Sequence, residues 1–189
     1  MKPSSVSPLI KTALVAVIVG VIGWFGFEAS PTVVEEAVDE YVLPVFTADA
    51  TPESISGFVE MVIDGDTIQV RADGRQERVR IIGIDTPEVD GSPAGAQCYG
   101  AEASERLKTA LSRQTVTLET DPTQDSRDEY GRLLAYVATP SGLDVGLALL
   151  EEGYAREFTY REPYRRQQSY QAAAANAAAA ERGLWAACQ

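Results

Sequence analysis

The 189-residue chain changes its hydrophobic pattern twice. From Thr12 to Phe27 it reads T-A-L-V-A-V-I-V-G-V-I-G-W-F-G-F without a charge, so every face of a helix built there is apolar. From Glu28 to Ser56 short apolar pieces such as Y-V-L-P-V-F alternate with acids and with Pro31, Pro44 and Pro52, which is the composition of a tether. From Gly57 onward β-branched residues partly alternate with polar ones. Residues 57–63, 67–71 and 76–84 predict three consecutive antiparallel strands, the last two joined by an A-D-G-R turn. T-V-T-L-E-T at 115–120 predicts a fourth strand and Y-G-R-L-L-A-Y-V-A at 130–138 a fifth. Residues 89–98, rich in Gly, Ser, Pro and Ala, predict a loop. A helix follows, with Ala103, Leu107, Ala110 and Leu111 close to one face. Residues 143–153 predict a short helix ended by Gly153, the residue type favoured just past a helix C-terminus. A last helix runs from about Glu162 to Arg182 and contains A-A-A-A-N-A-A-A-A; Gly183 stops it, and Leu184 and Trp185 fold back on the core.

Five strands with one helix between the third and fourth describe an α+β fold, a five-stranded OB-type β-barrel with about three helices. The chain then divides into an apolar segment at 1–27, an acidic disordered linker at 28–56 and a folded domain at 57–189. A helix of sixteen residues is roughly 24 Å long, slightly short of a hydrocarbon core of about 30 Å; Leu9 and Ile10 extend it if Lys11 snorkels. Lysines precede the segment and acids follow it, which places the N-terminus in the cytoplasm and the domain outside. A cleaved signal peptide is the alternative, but F-E-A before Ser30 has Phe27 where a small residue is wanted. The expectation is an uncleaved anchor, with residues 12–27 in the cell membrane and the domain extracytoplasmic, or secreted if the segment is cut.

Charge removes the simplest route to a polyanion. The formal net charge is −12, and residues 57–189 alone carry more acids than bases, so nucleic-acid binding needs a local basic patch and a metal ion. The chain has no histidine, which excludes imidazole general bases and the usual zinc ligand. Cys98 and Cys188 show no C-x-x-C spacing and are either a disulfide or two buried thiols, depending on the compartment.

Carboxylates concentrate between Asp64 and Glu88. D-G-D-T at 64–67 places Asp64 and Asp66 at i and i+2, on one side of an extended backbone. Asp85 and Thr86 precede Pro87, and a residue before proline is held extended, which fixes the direction of the Thr86 carbonyl. Oxygen-only ligands of this kind suit Ca²⁺ better than Mg²⁺. Strict alternation puts Arg80 and Asp85 on opposite faces of a strand, so a bend is required, and Gly83 is the place for it. Taken alone, D-G is an ordinary tight-turn signal and D-T-P-E an ordinary turn or helix start.

In combination these stretches resemble the staphylococcal nuclease (thermonuclease) family over roughly Gly57 to Trp185. The marks are D-G-D-T at 64–67, V-R-I-I-G-I-D-T-P-E at 79–88, C-Y-G-A-E-A at 98–103, D-E-Y-G-R at 128–132 and G-L-W at 183–185. The resemblance implies the same barrel and a Ca²⁺-dependent cleavage of nucleic acid, DNA or RNA. It implies that Asp66, Asp85 and the Thr86 carbonyl bind Ca²⁺, with Asp64 acting nearby through water. Glu88 would orient or deprotonate the attacking water, and Arg80 and Arg132 would hold the phosphodiester oxygens. That assignment agrees with the chemistry, since guanidinium forks and a cation stabilise charge building on phosphoryl oxygens.

The segment G-Y-A-R-E-F-T-Y-R-E-P-Y-R-R-Q-Q-S-Y interleaves aromatics and arginines, a composition that can stack bases or simply pack. Tyr160 and Tyr164 are the substrate-contacting candidates there, with Tyr130 beside Arg132 a third. Two other readings keep the barrel: a catalytically silent nucleic-acid-binding module, and a Ca²⁺-stabilised surface module, which would have no use for Arg80 and Arg132. No protein partner is expected. If the domain lies outside the cytoplasm, Cys98 and Cys188 are expected to pair, because oxidising compartments favour disulfides and an even count leaves no orphan.

Overall fold

The computed structural model describes residues 53–188. The apolar segment and nearly all of the acidic linker lie outside the described residues. Among the described residues no helix is long and apolar enough to cross a membrane.

Five strands close into a barrel: β1 (Ser54–Val62), β2 (Thr67–Ala72), β3 (Arg75–Ile81), β5 (Thr115–Glu119) and β6 (Leu133–Ala138), in the order β1-β2-β3-β6-β5. The pairs β1–β2, β2–β3, β1–β5 and β5–β6 are antiparallel, and β3–β6 is parallel. Every second side chain turns inward, so Ile68, Val70, Val79, Ile81, Val116, Leu118, Ala135 and Val137 fill the interior with at most 1% exposure each. Burying each such Val, Leu or Ile side chain contributes about 1.5–3 kcal/mol. On β1 the alternation slips at a bulge between Val59 and Met61. Val59 and Val62 therefore both face in, while Met61 is exposed.

Four helices cover the barrel: α1 (Gly100–Leu111), α2 (Val145–Glu151), α3 (Gln167–Ala179) and the short α4 (Leu184–Ala187). Leu107 and Leu111 of α1 are fully buried, as is Leu184 at the start of α4. The Asp144 carboxylate caps α2 by accepting from the Leu147 N–H at 3.1 Å, and it also takes the Tyr170 hydroxyl of α3 at 2.8 Å and Arg166 at 2.7 Å. Arg166 joins Glu119 as well, at 2.6 Å, and lies over the Tyr136 ring, so one guanidinium ties α3 to β5, β6 and the start of α2.

The structure corrects four boundaries. The barrel begins at Ser54 rather than Gly57, because Ser54 to Phe58 pair with Glu119 to Thr115. The strand expected over 76–84 ends at Ile81 and resumes as a two-residue β4 (Ile84–Asp85), which pairs with an unforeseen β7 (Arg156–Glu157) in a separate sheet. Y-G-R is not strand: the Asp128 carboxylate accepts from the Tyr130 and Arg132 N–H groups and closes a turn with Gly131 at φ +75°. The last long helix starts at Gln167 rather than near Glu162, because the preceding residues are held by other contacts. The Arg165 N–H donates to Asp121 and the Arg166 N–H to the Tyr136 hydroxyl.

Candidate active site

The site is assembled where the β1–β2 turn meets the chain leaving β3. Residues 63–66 turn instead of running extended, with the Ile63 N–H donating to the Thr67 carbonyl at 2.9 Å. Asp64 Oδ1 completes that turn by accepting from the N–H groups of Asp66 (3.0 Å) and Thr67 (2.7 Å). The two aspartates consequently diverge, Asp64 folding onto its own loop and Asp66 pointing into the protein with 6% exposure. Gly65 lets this turn lie against Thr86, since a Cβ there would come within 2.5 Å of the Thr86 hydroxyl.

Arg80 sits directly opposite Thr67 in the β2–β3 ladder. Its guanidinium places four of its five N–H donors, leaving one N–H without a partner among the described residues. Nε meets Asp66 Oδ1 at 3.1 Å, one Nη donates to the Ile81 and Ile84 carbonyls at 2.8 and 2.7 Å, and the other meets Asp85 Oδ1 at 3.2 Å. The bend required by the odd spacing of Arg80 and Asp85 is present at Gly83, at φ +81°, where a Cβ would lie 2.7 Å from the Tyr164 ring. Arg80 can thus curl around its own turn and hold both aspartates.

The Asp66 carboxylate accepts three hydrogen bonds beside its ion pair with Arg80, from the Thr67 hydroxyl at 2.9 Å, the Thr86 N–H at 3.1 Å and the Thr86 hydroxyl at 3.3 Å. Thr67 was not among the residues singled out from the sequence. Its hydroxyl donates to Asp66 while accepting from Arg132 at 3.3 Å, a partner 65 positions away. Asp128 was also missed, although it stands in D-E-Y-G-R. It holds Arg132 Nε at 2.6 Å, and these contacts keep its carboxyl below the usual range despite the opposing effect of burial.

The remaining carboxylates crowd one another. Burial, then Asp66, pushes the Asp64 carboxyl up to about 6. Asp85 is also raised, chiefly by burial, with Asp66 and Glu88 adding to it against the Arg80 and Arg156 guanidiniums. Among the described residues no three acidic, histidine or cysteine side chains gather closely enough to form a metal cage by themselves. Two hard carboxylates, Asp66 and Asp85, held at one guanidinium and short of positive charge do fit a hard divalent cation that takes its other ligands from backbone carbonyl and water.

Beside the carboxylates opens a cleft of about 700 Å³, walled by Arg80, Arg132, Tyr130, Tyr160, Arg127 and Phe158 among others. Asp66, Asp85 and Glu88 are not part of its wall, so Arg80 is the side chain that touches both the aspartates and the cleft. Tyr130 and Tyr160 are 76% and 55% exposed, with Arg132 over the Tyr130 ring at 5.3 Å and Arg161 over the Tyr160 ring at 4.9 Å. Tyr164 differs: it is 4% exposed and donates to Glu157 and the Gly83 carbonyl, bracing the bend below the cleft. Cys98 and Cys188 are bonded, with Cα atoms 5.8 Å apart.

Comparison with known proteins places these features in context. The family described as Staphylococcal nuclease homologue matches residues 78–187. The chain is 41% identical over 124 residues to a thermonuclease of Staphylococcus hyicus, covering 66% of this chain and 72% of that protein. It is 45% identical over 105 residues to a thermonuclease of Staphylococcus intermedius (56% of this chain, 61% of the relative). Over 105 residues it is 43% identical to the endonuclease YncB of Bacillus subtilis strain 168 (56% and 49%). Barrel, motifs and relatives agree, and the chain belongs to the staphylococcal nuclease family.

Proposed function

We propose that the chain is a Ca²⁺-dependent nuclease that cleaves DNA or RNA by attack of water on phosphorus. The observation that carries this reading is the single Arg80 guanidinium spanning Asp66 and Asp85 at the edge of a cleft that also presents Arg132 and two exposed tyrosines. Asp66, Asp85 and the Thr86 carbonyl would hold the cation, which when bound supplies a Lewis acid for the phosphoryl oxygen and lowers the pKa of coordinated water.

The chain's own residues do the rest. Arg132, oriented by Asp128 and Thr67, is positioned to take a phosphoryl oxygen, and Arg80 meets the same group from the opposite motif. Both contacts strengthen as negative charge accumulates in the transition state. Glu88 orients the water. Tyr130 and Tyr160 stack bases without selecting among them, a contact worth about 1–3 kcal/mol per base. A silent binding module has no need of Glu88, and a Ca²⁺-stabilised surface module has no need of an arginine turned toward an open cleft. The nuclease reading uses both features.

We further propose that the domain works outside the cytoplasm, tethered through residues 12–27, or free if that segment is cut. The Cys98–Cys188 bond supports this reading, because reducing compartments disfavour disulfides. Incubation of the purified chain with single-stranded DNA and with RNA tests the activity. Fragments are expected with Ca²⁺ and none with excess chelator; undiminished cutting in chelator would overturn the metal assignment.

A further inference from the structure

Glu88 is half-buried, and among the described residues its carboxylate has neither a hydrogen-bond partner nor an ion pair. Nothing on the side chain itself fixes it, so its position is set by its backbone. That backbone is gripped from both sides by one residue. The Glu88 N–H donates to Gln97 Oε1 at 3.1 Å, and the Gln97 N–H donates to the Glu88 carbonyl at 2.9 Å. Residues 89–96 form the excursion between them, carrying their own turns from Val89 to Ser92 and from Ser92 to Gly95. The two bonds close its neck.

Gln97 is in turn anchored on its C-terminal side. Its carbonyl accepts from the Gly100 N–H at 3.1 Å, and Gly100 packs so tightly that a Cβ would lie 2.1 Å from the Glu88 carbonyl oxygen. Cys98, the next residue, is bonded to Cys188 beyond α4. The path from the staple to the unsupported carboxylate is therefore Cys98, Gln97, Glu88.

We propose that Gln97 is a positioning residue for Glu88, holding through its side-chain amide oxygen the backbone from which Glu88 directs the attacking water. The proposal rests on the reading of Glu88 given above. A slackened neck leaves substrate binding to Arg80, Arg132 and the tyrosines intact, but displaces the one group whose placement relative to water matters. Misplacement of about 1 Å can cost up to about 100-fold in rate.

The test uses the full chain with Ca²⁺ and a single-stranded DNA oligonucleotide. Gln97→Ala is expected to lower kcat about 5- to 50-fold with KM within about twofold. Gln97→Glu, which keeps an acceptor for the Glu88 N–H, is expected to stay within about threefold of wild type. In a Glu88→Gln background Gln97→Ala is expected to change the rate less than about twofold, because the group it positions is already lost. Hydrogen exchange supplies a readout independent of turnover: the Glu88 amide is expected to exchange at least about 10-fold faster in Gln97→Ala and to recover in Gln97→Glu. Loss of kcat that is equal in both backgrounds, a Gln97→Ala kcat within twofold of wild type, or unchanged Glu88 amide exchange would each overturn the proposal. If the wild-type chain cuts nothing, the nuclease reading fails, and amide exchange alone then decides whether the clamp exists.

Discussion

Thr67 is the place where the two halves of the site meet, and Thr67→Val removes its oxygen while keeping its shape. The hydroxyl is 3% exposed at the residue level, donates to Asp66 at 2.9 Å and accepts from Arg132 at 3.3 Å. Hydrogen bonds to charged groups are worth about 1.5–3 kcal/mol each, and orphaned buried charges cost more. Neither partner is orphaned here. Asp66 keeps Arg80 and two donors from Thr86, and Arg132 keeps Asp128 at 2.6 Å. The stability cost therefore falls at the lower end, about 1.5 kcal/mol, or about 5 °C in Tm for a domain of this size.

The catalytic cost is larger than the stability cost suggests. Without the bridge Arg132 keeps the Asp128 ion pair and its place over the Tyr130 ring but loses one of the two hydrogen-bonded points that aim its free donors, and losing a preorganised contact to the developing charge costs about 10- to 100-fold. Thr67→Ser keeps the oxygen and should retain at least about a third of the rate, since it gives up only a methyl group. Urea unfolding and initial rates on single-stranded DNA with Ca²⁺ measure the two effects separately. A Thr67→Val protein that cuts within twofold of wild type while losing the expected stability would refute the claim that the bridge aims Arg132.

Three further outcomes are expected. Arg132→Ala should lower the rate about 100-fold or more with the fold intact, whereas Arg80→Ala should cost both rate and stability, because Arg80 also holds the Ile81 and Ile84 carbonyls; circular dichroism and rates separate the two. Asp121 accepts from the Tyr136 hydroxyl, the Arg165 N–H and the Thr123 N–H and hydroxyl, and these bonds hold its carboxyl below the usual range although burial opposes them. A carboxylate lowered on folding stabilises fully above its unfolded value of about 3.9 and loses that contribution as pH falls through the lower folded value, so urea midpoints of Asp121→Asn should sit below wild type at pH 6 and converge with it in strong acid. Cys98→Ser with Cys188→Ser opens a loop with a sequence separation of 90 residues and should cost about 4 kcal/mol in the chain-entropy model, read from denaturant unfolding with and without reductant.

What the sequence disclosed about this site was what local rules could carry. Parity required a bend between Arg80 and Asp85, which cannot share a strand face at an odd spacing, the glycine gave its place at Gly83, and the chain does turn there. The barrel strands were legible because each runs five or more residues, long enough to show an alternation or a continuous apolar run. The strand β7 was not, because two residues leave no period to read. Asp64 was misread for a related reason: i and i+2 share a side only in extended backbone, and the carboxylate's own bonds to Asp66 and Thr67 make the segment a turn. Tyr164 and Tyr160 were equivalent by composition; only the packing of Tyr164 against Gly83 and Tyr170 separates the brace from the exposed ring. Thr67 stands in D-G-D-T and Gln97 in the loop before α1, but nothing local marks the bridge to Arg132 or the clamp on Glu88, since each depends on a partner fixed by tertiary contact.

The acidity of the chain, at first an objection to a polyanionic substrate, recurs on a small scale around the two arginines. Arg80 is neutralised by Asp66 and Asp85, and Arg132 by Asp128. Glu88 has no cationic partner among the described residues. Counting these groups alone, four carboxylates face two guanidiniums, a local excess of about two negative charges. A phosphodiester approaching this cluster without a counterion meets net repulsion, even though both arginines are already aimed at the cleft. A divalent cation supplies two positive charges, the amount that brings the cluster to balance. On the function proposed above, the same carboxylates that hold the arginines rigid would make admission of an anion conditional on the cation. Preorganised guanidiniums and the proposed metal dependence would then be one design, since loosening the aspartates to free positive charge would also lose the aim of Arg80 and Arg132.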